Sequence, residues 1–254
     1  MNALTPRAQT VTFPRRTRPC CMSNPPTTLS VTLLSLHRLA EHILAAALYQ
    51  QTGRIGLCAS PGGIATPAFG PDSRVIAVDL DSLVVRSAGG EHRQPVSTLR
   101  AAGEFVGITP GGPSSVYSLA TPYEPDAPLT LEQSAMQVLA SWYALGNSAL
   151  DRLAEVLADE SPSEAILWPE HFDLAISAGG VNYGFSPGDD FSASPYAYVG
   201  PPDPPPSSTF WNAPFGAFRT IDAIASVDDA VAFLLEGKQR LAPAITTTHL
   251  RSQS

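Results

Sequence analysis

Apolar residues recur at helical spacing along several stretches of this chain, and at a two-residue period between them. Leu33, Leu36, Ala40, Ile43 and Ala47 form one stripe, which predicts an amphipathic helix from an N-cap at Ser30 to about Tyr49. Val138, Trp142, Leu145, Ala149, Leu153 and Val156 trace a longer helix, opened by a Thr130-x-x-Gln133 capping box and running to about Ala158. Gly146-Asn147 is the place where that helix kinks or divides. A short helix, Leu99 to Val106, follows a cap at Ser97. A last helix opens at Ser226 with Asp229 and carries Val227, Ala230, Phe233, Leu234 and Leu241.

Between the helices the period changes to two. Arg54–Ser60, Arg74–Asp79, Ser82–Ser87 and His92–Val96 read as strands, punctuated at Pro61-Gly62-Gly63 and Gly89-Gly90. In the second half the run from Ile166 to Ser177 alternates throughout, which predicts one strand turning at Gly179-Gly180 into the next. Ile166, Trp168, Glu170, Phe172, Leu174 and Ile176 fall on one face of that strand. Leu167, Pro169, His171, Asp173, Ala175 and Ser177 fall on the other. PYAYVG (195–200) and FWNAPFGAFRT (210–220) supply further strands.

The halves repeat each other. LHRLAEHILA (36–45) is similar to LDRLAEVLAD (150–159), and each helix precedes three or four strands and a shorter helix. The expectation is an α+β fold of two α-β-β-β(-β)-α units. Their sheets are antiparallel, their helices pack on one face, and an approximate twofold relates them. The organisation expected is a basic leader (1–28), a first unit (29–108), a Pro/Gly-rich connector (109–129), a second unit (130–241) and a frayed tail (242–254).

Charge changes the picture at one end. The chain carries a net −8, yet its first 21 residues hold Arg7, Arg15, Arg16 and Arg18 and no acid, leaving −12 for the body. An acidic body argues against nucleic acid as a partner. The leader lacks the apolar middle of a secretory signal, and Met22 is the expected natural start. No apolar run reaches the length of a membrane helix, so no membrane partner is expected. Cys20 and Cys21 are adjacent and Cys58 is alone, a pattern without disulfide or zinc spacing that fits a cytoplasmic protein.

ILWPEHFDLAIS, YGFSPGDD, PYAYVGPP and the AFLLEG helix resemble, in that order, the bacterial domain-of-unknown-function family numbered 5996. The W-x-x-x-FDLA strand and the LVVR strand (83–86) carry the resemblance, which spans about Ser30 to Leu241. It implies a fold but no activity, cofactor or catalytic residue.

Candidate chemistry concentrates in the second half. Glu170 interrupts an apolar strand face between Trp168 and Phe172, where burial would raise its pKa, and His171 and Asp173 stand beside it. These three are the candidate general acid–base groups, although no nucleophile elbow or phosphate loop accompanies them. His171-x-Asp173 begins a facial triad, but the only downstream histidine is His249 in the tail. His37 and Glu41, at i and i+4 beside His42, read as a solvated helix pair. No metal or cofactor is expected. Trp168, Phe172, Tyr183, Phe185, Tyr196, Tyr198, Trp211 and Asn212 are the candidate ligand-binding residues. The function expected is a module binding a small apolar or aromatic ligand in a second-half cleft. The alternatives are an enzyme using Glu170, His171 or Asp173, and a structural or protein-interaction domain. Oligomeric state is left open.

Overall fold

The computed structural model describes residues 27–241. Its elements run in two matching series. Helix α1 (Thr28–Leu39) continues through a π-helical turn (Ala40–Ala45) into α2 (Ala46–Thr52), and strands β1 (Cys58–Ser60), β2 (Gly63–Ala65), β3 (Val75–Asp79), β4 (Ser82–Ser87) and β5 (Gly90–Pro95) follow, closed by α3 (Leu99–Val106). The second series is α4 (Gln133–Val156), then β6 (Ile166–Trp168), β7 (Asp173–Ala178), β8 (Val181–Ser186), β9 (Tyr196–Gly200) and β10 (Ala217–Thr220), then α5 (Val227–Leu241). Each series forms one antiparallel five-stranded meander in sequence order. The fold is α+β with a repeated sheet–helix unit, and each unit has five strands rather than three or four.

The sheets meet at their first strands. Leu57 and Leu167 exchange both backbone hydrogen bonds at 2.9 Å, an antiparallel bridge beside β1 and β6. Helix α4 spans this seam, packing on β1 and β2 of one sheet and on β7 and β8 of the other. Ile64, Ile76, Val78, Leu83 and Val85 of the first sheet therefore share one continuous core with Leu167, Leu174, Ile176, Tyr183, Phe185 and Val199 of the second. Ala65, Ala77 and Val84 form a separate small cluster on the first sheet's far face.

Several boundaries differ from the periodicity. Thr27, not Ser30, caps α1, its hydroxyl accepting from Ser30 N at 3.1 Å. Thr98, not Ser97, caps α3 in the same way through Ala101 N. The Thr130 box does not form, because Thr130 N donates instead to Ser35 Oγ of α1 at 3.0 Å, and α4 starts at Gln133. The Ser226/Asp229 box does form. Helix α4 does not divide at Gly146; the missing side chain there admits the Phe185 ring, and a Cβ would sit 2.7 Å from its Cγ. The leader and the tail, with Cys20, Cys21 and His249, lie outside the described residues.

The α1–α2 rod has the length and hydropathy of a membrane span, unlike any run noted from the sequence, but 78% of that window is buried inside the fold. It is wrapped on both sides because the segment 109–129 lies across it. This connector has no helix or strand, and rod side chains, among them Arg38, Glu41 and His42, supply several of its hydrogen bonds. Such satisfaction is needed wherever a backbone without ladder partners packs down.

Candidate functional site

The Ile166–Ser177 run is not one strand. Pro169 ends β6, residues 169–172 turn back, and β7 begins at Asp173 opposite Trp168. Phe172 takes a left-handed conformation (φ 56°) and its N–H returns to Trp168 O at 2.7 Å. The turn is held from the helix side by two donors. His37 Nε2 reaches Pro169 O at 2.7 Å, which makes Nε2 the protonated nitrogen, and Tyr143 Oη donates to Phe172 O at 2.8 Å. The buried Phe172 ring lies flat on the His37 imidazole, with centroids 4.5 Å apart at 5°, and meets Tyr143 edge-on. Burial lowers the His37 pKa, against the opposing pull of Glu41 and the Pro169 bond.

Glu170 sits in this turn, half-buried, and its Oε2 has no hydrogen-bond partner among the described residues. Burial raises its pKa; His171 opposes this, while Asp173 and Glu41 add to it. The Tyr117 hydroxyl, from the connector, is likewise buried and unpartnered. Its pKa is raised by burial and by the charges of Glu41 and Glu170, which places all three groups in one electrostatic neighbourhood. His171 is exposed at the rim, within electrostatic reach of both Glu170 and Asp173. The three candidate acid–base residues are thus together. Asp173, unlike His171, is buried. It accepts from the Tyr198 hydroxyl through Oδ2, Oδ1 has no partner among the described residues, and burial raises its pKa.

Sequence reasoning missed the contribution of the rod and the connector. Glu41 and His42 are fully buried, not solvated. Glu41 Oε1 accepts from Ala120 N (2.9 Å), and Oε2 accepts from Thr121 N (2.8 Å) and Thr121 Oγ1 (2.5 Å). Gly112 N donates to His42 Nδ1 at 3.0 Å, and His42 Nε2 lies 3.2 Å from Thr121 Oγ1. Both residues sit in the π-helical turn, a distortion that recurs at functional sites. Arg38 adds an ion pair with Glu124 at 3.1 Å and a bond to its carbonyl.

The aromatic residues divide between the two faces of the second sheet. Phe172, Tyr183, Phe185, Phe210 and Trp211 belong to the helix-side core, with Trp211 edge-on to Phe210 at 4.9 Å. Tyr196, Tyr198, Phe191, Phe215 and Phe218 pack on one another on the far face, the face of β6–β7 that also holds Trp168 and Asp173. They do not line one cleft. Asn212 is exposed and closes its own loop through two bonds with the Phe218 backbone. An open groove of about 610 Å³ runs between α4 and residues 162–165, lined by Leu150, Asp151, Ala154, Glu155, Ala165 and Ile176, and contains none of the Glu170-site residues.

The chemistry available at the turn is proton exchange by the Glu170 carboxyl and the His171 imidazole, and hydrogen bonding by the Tyr117 hydroxyl. The Cys58 thiol lies elsewhere; it bonds to Ala65 O and burial raises its pKa, the opposite of activation. Among the described residues no three His, Cys, Asp or Glu side chains group as metal ligands. Comparisons with protein-family models, curated proteins and solved structures find no match to this chain.

Proposed function

We propose that this protein is a small-molecule-binding module whose site is the β6–β7 turn. Glu170 and Tyr117 are its polar contacts, and the Phe172–His37 stack is its wall. One observation carries the reading. Two polar atoms from distant segments, Glu170 Oε2 and Tyr117 Oη, are buried in one neighbourhood without partners among the described residues. A buried polar atom left unpaired costs about 1–3 kcal/mol, and function is one reason for retaining it. The second-half aromatics expected to hold an apolar ligand fill space against one another instead, so the ligand favoured here bears a hydrogen-bond donor for Glu170. A thermal-shift screen of small metabolites, repeated on Glu170→Gln and Tyr117→Phe, tests this. A genuine ligand stabilises the native chain and loses most of that effect in both variants; hits that stabilise all three proteins equally refute the site.

A second reading, acid–base catalysis, is favoured by the exposed His171 beside a carboxyl group of raised pKa. Under it, the Glu170 carboxyl, whose hold on its proton burial strengthens, and the His171 imidazole at the rim act on the same bound molecule. Turnover of a screened ligand that survives Glu170→Gln unchanged would exclude it.

A further inference from the structure

The loop from Gly111 to Thr121 is fastened at both ends to adjacent residues of the rod. Gly111 N donates to His42 O at 3.1 Å and Gly112 N to His42 Nδ1, while Ala120 and Thr121 donate to Glu41. Between these ends most of the loop is exposed or half-exposed, Pro113 being buried, and Leu119 folds back onto Gly112. The later part of the connector has separate ties, Arg38 to Glu124 and Arg100 to Asp126. The loop therefore hangs on two ionisable side chains.

The protons in this fastening are fixed by donor rules. A backbone N–H can only donate, so His42 Nδ1 is the acceptor and carries no proton. In the neutral ring the proton is then on Nε2, which donates to Thr121 Oγ1; the Thr121 hydroxyl in turn donates to Glu41 Oε2. The chain Gly112 → His42 → Thr121 → Glu41 is complete only while His42 is neutral.

We propose that this chain is a proton-controlled latch: protonation of His42 at Nδ1 sets two donors against each other, expels Gly112 N–H and opens the loop 111–121 from its Gly112 end, while Ala120 and Thr121 stay bound to Glu41. Tyr117 rides on that loop, so the same event withdraws it from Glu170. That Tyr117 then leaves a ligand site rests on the proposed function, whereas the latch stands on its own geometry.

The groups around His42 set the direction. Glu41 and Arg38 flank it on the rod, with His37 one turn away. Thr121 and the Tyr123 ring, 5.5 Å distant, face it from the connector. Helix α3, which packs on the π-helical turn, has Arg100 and Glu104 exposed, and Arg100 is engaged with Asp126. Burial, the largest influence, lowers the His42 pKa below 6.5 despite the pull of Glu41. The open loop, with His42 solvated, therefore binds the proton more readily than the closed one. Opening gains up to about tenfold for each pH unit below 6.5, until the closed-state pKa is reached, and it gains nothing above 6.5.

Hydrogen exchange read by mass spectrometry on the full chain tests the latch, with rates corrected for intrinsic pH dependence. Between pH 7.5 and 5.5, peptides covering 111–121 should lose protection several-fold while those covering β7 and β8 hold theirs. In His42→Asn, whose side-chain oxygen can still accept from Gly112, the pH dependence of the loop should vanish. Equal loop protection at both pH values, or an unchanged pH response in His42→Asn, overturns the proposal. Should that variant fail to fold, the amide shift of Gly112 in the native protein decides: it should titrate with a midpoint below 6.5, and a flat profile overturns the latch. Ligand stabilisation lost in Glu170→Gln and Tyr117→Phe tests the site independently of either outcome.

Discussion

Replacing Glu41 by alanine removes the acceptor of three hydrogen bonds that pin Ala120 and Thr121 to the rod. Bonds to a charged acceptor contribute roughly 1.5–3 kcal/mol each, so about 5–9 kcal/mol of gross interaction is lost. The desolvation of a fully buried carboxylate offsets several kcal/mol of this. The loop can also lift away and hydrate its freed N–H groups, which limits the penalty. A net loss of about 3 kcal/mol is expected, large beside a typical total of about 5–15 kcal/mol. Glu41→Gln, which keeps one carbonyl acceptor, should lose about 1–2 kcal/mol. Urea unfolding at pH 7.5, with an unchanged m-value, measures both. A loss below about 1 kcal/mol for Glu41→Ala, with the loop amides still protected from exchange, would refute the view that this carboxylate holds the loop down.

Three further outcomes are expected. Gly146→Ala should gain about 1 kcal/mol of helix propensity and lose more to overpacking, since its Cβ meets the buried Phe185 ring at 2.7 Å; a raised melting temperature would contradict this. Tyr143→Phe strips the donor from Phe172 O and should cost about 1–2 kcal/mol in chemical denaturation, and a neutral result would mean the turn is held by its own geometry. Glu170→Gln should raise the melting temperature at pH 8 but not at pH 4. The folded carboxyl holds its proton above the ordinary 4.5, so the native protein loses stability as pH rises through that interval, and the variant does not; a gain equal at both pH values would contradict the burial argument.

The repeat was legible because each unit keeps its own periods, and because Gly179-Gly180, both at positive φ, is a strong hairpin signal. The turn at Pro169–Phe172 was hidden because apolar residues continue through it. Its four residues exchange the faces: Leu167 lies with Leu174 and Trp168 with Asp173, where unbroken alternation had put Trp168 with Leu174 and Leu167 with Asp173. Strand β2 escaped because three residues carry too little pattern. The His37–Glu41 pair misled for a different reason: an i, i+4 pair reads as solvated unless something covers it, and the cover on Glu41 comes from about 80 residues downstream. A signal was nevertheless present. Thr32, Ser35, Arg38, Glu41 and His42 are all buried on a rod surrounded by apolar residues, and the Pro/Gly-rich segment after α3 lacks ladder partners of its own. Each supplies what the other needs.

The Leu57–Leu167 bridge has a consequence for how such a chain is assembled. Each unit alone would leave its first strand with an unpaired row of backbone groups, the kind of border that recruits a neighbouring molecule. Here the two borders are joined to each other at Leu57 and Leu167, with α4 laid across the join. The arrangement is that of a twofold dimer written on one polypeptide, so the two halves always meet at equal stoichiometry and in one register. It also frees the halves to diverge: one copy has kept small residues on its far face, and the other has filled that face with rings.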